Sequence, residues 1–301
     1  MRNAGIAMGA LVLLAVAASA GFGFEVPDRA RHDTFAAESA TPVEYGKIEA
    51  DLSLTYQSTV DSSWTVFDNS WDQRRGERAR ATTGRLALAY GYAEDLEFGL
   101  ALDYVDVKDR HRPFGESSAR GLGNLDLSLK WRFYRNEDVG FSLAYMPELA
   151  IPVGRATKSG RLGTTTTFWA WTNRLAMTQD VEVMGTGFSL NADAAYLLPF
   201  GGTRRHYSQR FGRPVERTRG VFDTNASLAW HLHRHFRPEA GVSYAHEFVR
   251  RDSGSDLLAA SAGVMVPLTQ DWRVKAHYEQ ALIGRNAWRT RTIAVGLVVR
   301  F

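Results

Sequence analysis

The stretch from Thr290 to Phe301 constrains this chain most. Ile293, Val295, Leu297, Val299 and Phe301 fall on one face of an extended strand, and Thr292, Ala294, Gly296, Val298 and Arg300 on the other. That is a period of two, with one side wholly apolar. An apolar face that ends the chain at an aromatic, with no cap or tail, needs both a surrounding to bury it and a first strand to pair with.

Segments of about ten residues with alternating polarity recur from Lys47 onward, the pattern of a strand that faces lipid on one side and a lumen on the other. Twelve are read, at 47–59, 81–92, 96–107, 123–134, 140–153, 164–178, 186–198, 219–233, 236–249, 256–268, 272–283 and 290–301. In the third, Leu96, Phe98, Leu100, Leu102 and Tyr104 point one way; in the fourth, Leu125, Leu127, Leu129, Trp131 and Phe133 do. Connections after even-numbered strands are a few residues, such as 93–95 and 269–271, while those at 60–80, 108–122 and 199–218 are long. Short turns at one end and long loops at the other, with an even strand number, predict an all-β, twelve-stranded antiparallel transmembrane β-barrel of the bacterial outer membrane with both termini periplasmic. Ten aromatics, Tyr56, Tyr90, Tyr104, Trp131, Tyr145, Trp169, Trp171, Trp230, Trp272 and Tyr278, fall on the apolar faces as interfacial girdles do. Asn173 and His246 also fall there, which predicts a bulge or a shifted register in the sixth and ninth strands.

The beginning of the chain agrees with export. Arg2, the apolar run 4–18 and the small residues Ala18, Ser19 and Ala20 read as a signal peptide over 1–20. Residues 21–46, with Pro27 and Pro42 and little alternation, read as a periplasmic N-terminal tail, and 47–301 as the barrel, its lumen narrowed by that tail or by an inward loop. Without residues 1–20 the chain keeps 35 of its 36 Lys and Arg against 33 Asp and Glu, a net charge of +2 that does not suggest a nucleic-acid partner. With no Cys there is neither a disulfide framework nor a lipid-modified Cys anchor. The terminal strand resembles the C-terminal signal by which the barrel-assembly machinery recognises outer-membrane barrels.

Several segments, LALAYGYAEDLEFGLALDY (86–104), GLGNLDLSLKWRFY (121–134) and LAIPVG (149–154), resemble the outer-membrane transporter family labelled phenol-degradation MetA-pathway proteins. Asn124 stands where that family usually has Asp. The resemblance implies a channel or transporter for uptake of small molecules, aromatic or hydrophobic compounds or their anions. Two other readings stand beside it: a structural or adhesive barrel whose lumen is shut by its own ion pairs, and a lipid-modifying outer-membrane enzyme.

No catalytic residue, cofactor or metal site is assigned. The pair His206 and Ser208 resembles the spacing of outer-membrane phospholipases, but it sits in a long loop without a third group to orient the base. His231 and His233 fall about 7 Å apart on one strand face, which can chelate in principle, but the preferred reading is a polar lumen lining near the periplasmic rim. The lumen-lining candidates are Glu97, Asp103, Asp126, Lys130, Arg132, Glu148, Arg174, Asp193, Glu247, Arg273, Lys275 and Glu279; Arg85 shares their face. A symmetric hairpin of strands three and four places Glu97 opposite Arg132, and Asp103 opposite Asp126. Charge is sorted between the two ends. Arg204, Arg205, Arg210, Arg213, Arg217 and Arg219 form a basic outer mouth, joined by Arg155, Lys158, Arg161, Arg285, Arg289 and Arg291, whereas the short turns carry acids. Such a mouth suits two partners, the phosphates of lipopolysaccharide in the surrounding bilayer and an anionic solute.

Overall fold

The computed structural model describes residues 35–59, 78–111, 115–155, 163–183, 186–202, 206–208, 213–215, 218–232, 236–249, 254–285, 287 and 289–301. Among them the wall strands are β1 (Ile48–Thr59), β2 (Arg78–Ala93), β3 (Leu96–His111), β4 (Gly115–Asn136), β5 (Phe141–Pro152), β6 (Trp169–Val183) and β7 (Thr186–Phe200). After the short strands β8 (His206–Ser208) and β9 (Arg213–Val215) come β10 (Thr218–His231), β11 (Arg237–Val249), β12 (Ser255–Pro267), β13 (Trp272–Arg285) and β14 (Thr290–Arg300). Each wall strand pairs antiparallel with its neighbours and β14 returns to β1, closing a twelve-stranded barrel; β8 and β9 form a separate hairpin in the connection between β7 and β10.

Closure is complete along the seam. Glu49 faces Arg300 and the register runs unbroken to Thr59 opposite Thr290, with backbone bonds from Phe301 N to Ile48 O (2.8 Å) and from Ile48 N to Phe301 O (3.2 Å). No strand edge in the wall is left without a partner, as a barrel in lipid requires. The outer face is apolar: Leu52, Leu54, Leu86, Leu88, Phe98, Leu100, Leu127 and Leu175 are exposed, and so are Tyr56, Tyr90, Tyr104, Trp131, Trp169, Trp171, Trp230 and Trp272 of the expected girdles. Tyr145 and Tyr278 are half-buried.

Three expectations are corrected. The segment at 108–122 is mostly strand, because β3 and β4 continue pairing out to His111 opposite Gly115. Strands β6 and β11 contain no register shift, so Asn173 and His246 do face outward. Each is satisfied there: Asn173 Oδ1 accepts from the Tyr145 hydroxyl (2.5 Å) and the Trp171 indole (3.1 Å), and His246 Nδ1 lies 2.6 Å from Asp256. Amphipathic rings with their own polar tips thus supply partners that lipid cannot.

The irregularities fall elsewhere. Opposite Leu102 to Tyr104, β4 carries one residue more than β3, so Asp103 faces both Gly123 and Asn124. A bulge of this kind reverses the alternation on the strand that carries it. The GLGN motif is therefore a packing device. Gly154 N donates to Gly123 O (3.1 Å), and a Cβ on Gly154 would overlap the Leu122 carbonyl. The Thr164 and Thr165 hydroxyls bond to Leu122 O and to Asn124 Oδ1.

Candidate functional site: the lumen

From Phe35 to Val43 the N-terminal tail lies inside the barrel, the first of the two expected ways of narrowing the lumen. Residues 35–43 cross the lumen near the short-turn end, and the wall strands supply the acceptors their backbone needs. Phe35 N donates to Glu239 (3.2 Å), Glu38 N to Asp193 (2.7 Å), Ala40 N to the Thr178 hydroxyl (2.9 Å) and Val43 N to Glu97 (2.7 Å). A buried strand without a ladder must find such partners or lose the cost of an unpaired amide. Lys130 Nζ holds the Glu38 carboxylate at 2.5 Å, and Arg300 holds Glu44 at 2.6 Å. The Phe35 ring stacks on His277 with centroids 5.3 Å apart and lies under the Lys275 ammonium at 4.8 Å. Gly91 admits the segment's exit, since a Cβ there would collide with the carbonyls of Val43 and Glu44.

The twelve lumen candidates divide by what they touch. Glu97 and Lys130 anchor the segment, and they, not Glu97 and Arg132, are the residues directly opposite each other. Arg132 instead closes the short turn, bonding Asp95 at 2.7 Å and the Glu94 carbonyl at 3.2 Å. Arg273 pairs with Glu49, and Lys275 with Asp51 at 2.9 Å, so both reach from β13 to β1 across β14. Lys275 stands opposite Gly296 on β14, which leaves room for its long side chain to cross to Asp51. Glu247 accepts from the Thr218 hydroxyl at 2.8 Å and Glu279 from Ser243 at 3.2 Å.

The remaining candidates form one row. Arg85 on β2 stands opposite Asp103 on β3. Asp126 on β4 faces Ala101, two residues from Asp103, so the predicted direct opposition of the two acids is replaced by a shared cation: Arg85 Nη1 lies 3.0 Å from Asp103 and 2.9 Å from Asp126. Glu148 on β5, Arg174 on β6 and Asp193 on β7 are each displaced by a further two residues, and Asn225 on β10 faces Asp193 directly. Strands in a closed barrel tilt, so a row staggered in this way runs level around the wall. Arg174 pairs with Asp193 at 2.5 Å, and Asn225 Nδ2 donates to Asp193 (3.0 Å) and Asp223 (3.3 Å). Glu148 forms no ion pair among the described residues. Five carboxylates, at 103, 126, 148, 193 and 223, thus share two guanidiniums, at 85 and 174.

Water reaches this row. The Arg85 side chain is 38% exposed and that of Arg174 22%, whereas Lys130 and Arg273 are each 1% exposed on the same inner face. One sector of the lumen is wet and charged; the other is filled by the segment from Phe35 and by the pairs beneath it. Glu38 and Phe35 escaped sequence reasoning because they lie in a stretch without periodicity. Asp223 and Asn225 were legible as alternate polar residues of FDTNAS.

At the long-loop end, Arg219 is exposed beside the register shift between Thr218 and Gly220, and Arg155 and Arg285 are exposed, Arg285 pairing with Asp256. Arg204, Arg205, Arg210, Arg217, Lys158 and Arg161 lie outside the described residues, as does the side chain of Arg213. The pair at 206 and 208 falls on β8, with side chains likewise undescribed. His231 Nε2 bonds the Ser189 hydroxyl at 2.7 Å; His233 is outside the described residues.

A family model described as "Putative MetA-pathway of phenol degradation" matches residues 76–301. The COG4313 outer membrane channel from Pseudomonas putida F1 superposes with a TM-score of 0.72 at 12% identity, over 89% of this chain and 100% of that one. The beta domain of the Bordetella autotransporter BrkA gives 0.53 at 13% identity, over 85% of this chain and 99% of that one. The NanC porin gives 0.50 at 8% identity, over 83% and 98%. At such identities the likeness is one of fold, and the fold is that of outer-membrane β-barrels. No curated protein matches the sequence.

Proposed function

The chain belongs to the family described as the MetA-pathway of phenol degradation, and from that membership we propose that it is a channel of the bacterial outer membrane for uptake of small molecules. Its long-loop end faces outward, and both termini of the barrel are periplasmic. The observation that carries this reading is the wet row from Arg85 to Asp223. A barrel built only as a scaffold gains by pairing and drying its interior charges, as this one does at Arg273 and Lys275; in this row Glu148 makes no ion pair among the described residues and the Arg85 side chain stays 38% exposed.

The solutes proposed are small aromatic or hydrophobic compounds, in keeping with the family description and with the Phe35 ring across the lumen from the charged row. Such a solute can lay an apolar face on the ring and turn a hydroxyl or carboxylate toward Arg85 or Arg174. The arginines of the outer mouth raise the local concentration of its anionic forms, an effect that fades as salt shortens the Debye length to about 8 Å. Phe301 and the face it ends serve as the handle for the barrel-assembly machinery.

Single-channel recording of the purified full chain in a planar bilayer tests the proposal. Discrete conductance steps are expected. A folded, heat-modifiable barrel that stays electrically silent would return the structural or adhesive reading.

A further inference from the structure

On its outer surface, beyond the girdle at the long-loop end, the barrel carries exposed cations where lipid-facing residues give way to solvent. Arg80 on β2, Lys108 on β3 and Arg120 on β4 all point outward, while the opposite face of the same hairpin buries Ala81, Val105, Val107 and Ala119. The alternation fixes their direction. Below them on the same face lie Leu122 and Tyr104, then Leu100, all exposed. Tyr104 marks the interface, and the Arg120 guanidinium sits 5.8 Å from its ring centroid with Nε donating to the hydroxyl at 3.1 Å.

Two of the cations oppose each other. Arg80 and Lys108 are direct partners across the β2–β3 ladder, an arrangement of like charges that costs stability when nothing intervenes. Neither forms an ion pair among the described residues. Asp106, opposite Arg120, is the one carboxylate among the described side chains of this face. Ser118, opposite Lys108, adds an exposed hydroxyl.

We propose that Arg80, Lys108 and Arg120 form a binding site for the phosphate of an acylated glycolipid in the outer leaflet, with lipid A as the chemical type. A phosphomonoester has the charge and the three acceptor oxygens to bridge two opposed cations, and Arg binds it bidentately. The acyl chains then lie along Leu100, Leu122 and the apolar wall beneath Tyr104. The site stands on the outside of the wall and takes no part in the lumen. It rests on the orientation given above, in which the long-loop end meets the outer leaflet.

The test uses the full chain in detergent with bisphosphorylated lipid A as the probe, read by native mass spectrometry and by the midpoint of heat-modifiable unfolding. Lipid A is expected to bind the wild type about tenfold or more tightly than the R80Q/K108Q/R120Q variant, the scale of losing charge-assisted hydrogen bonds. Dephosphorylated lipid A should not distinguish the two, and an exposed Arg at the short-turn end, changed as Arg135→Gln, should leave the affinity in place. Wild-type affinity in the triple variant overturns the site. So does equal binding of phosphatidylglycerol, or full reproduction of the midpoint shift by inorganic phosphate alone. Conductance of the wild-type chain judges the channel reading separately.

Discussion

Lys130 and Glu38, 92 positions apart in the chain, meet inside the barrel with the ammonium 2.5 Å from the carboxylate. Lys130 is 1% exposed, and Glu97, its partner across the ladder, lies 4.0 Å away and 6% exposed. Removing the cation leaves two carboxylates facing each other beside the lumenal segment. Lys130→Met should therefore cost about 3 kcal/mol, near the lower end for breaking a buried pair because Glu38 is partly solvated. The midpoint of heat-modifiable unfolding measures this. The same variant should show larger conductance steps as the segment loosens; unchanged steps would mean that backbone bonds alone hold it.

A second expectation follows from the shared guanidinium. In Arg85→Gln, Asp103 and Asp126 lose their common counter-ion in a wet part of the lumen, and the pore should become more cation-selective. Reversal potentials across a salt gradient report this directly. Adding Asp126→Asn should restore most of the original value, and no movement in either variant would remove the row from the conduction path.

The seam offers a third. Arg273 is 1% exposed and Glu49 7% exposed, and their pair bridges β13 to β1 over β14. Arg273→Met should destabilise the barrel by about 3–5 kcal/mol, the cost of stranding a buried carboxylate, whereas Arg273→Met with Glu49→Leu should recover most of that loss. Thermal midpoints of the folded form on gels decide between them. Equal loss in both would assign the effect to packing rather than charge.

The terminal residue gives a fourth. Phe301 exchanges two backbone bonds with Ile48, and its ring is 68% exposed, so packing within the barrel contributes little to its value. Deleting Phe301, or changing it to Asp, should lower the yield of heat-modifiable barrel in the outer membrane while export continues. Normal assembly in both variants would count against the terminal strand as an assembly handle.

Replacing Arg204, Arg205, Arg210, Arg213, Arg217 and Arg219 by Gln tests the basic mouth. Anion recruitment predicts a shift of the reversal potential toward cations that is largest at low salt. If selectivity stays fixed while lipopolysaccharide binding falls, these arginines serve the lipid and not the solute.

What was legible in the sequence was whatever a period of two encodes. In β3, Glu97, Gly99, Ala101 and Asp103 alternate without interruption with the outward apolar residues, and β14 reads as cleanly. What failed was register, because a bulge adds one residue without changing the apparent polarity of the segment around it. The β3–β4 ladder closes at His111 opposite Gly115 rather than about the middle of 108–122, and the one-residue bulge at Gly123 and Asn124 offsets only part of that displacement; hence Glu97 meets Lys130 and not Arg132. The extension of β3 and β4 past Lys108 was hidden because polar residues there occupy the outward face above the apolar band. That the N-terminal tail could narrow the lumen was legible, but its anchors were not: its bonds run from backbone amides to side chains far along the chain, and such pairings leave no period.

The bonds from residues 35–43 to β3, β6, β7 and β11 also act as a clock for assembly. No one of those strands neighbours all the others, so the full set can form only around a finished wall. A protease admitted from the short-turn side should cut this segment for as long as the β1–β14 seam is open and lose access once it shuts. Protection of residues 35–43 at the entrance of the lumen is thus a readout of the last pairing event at its opposite terminus.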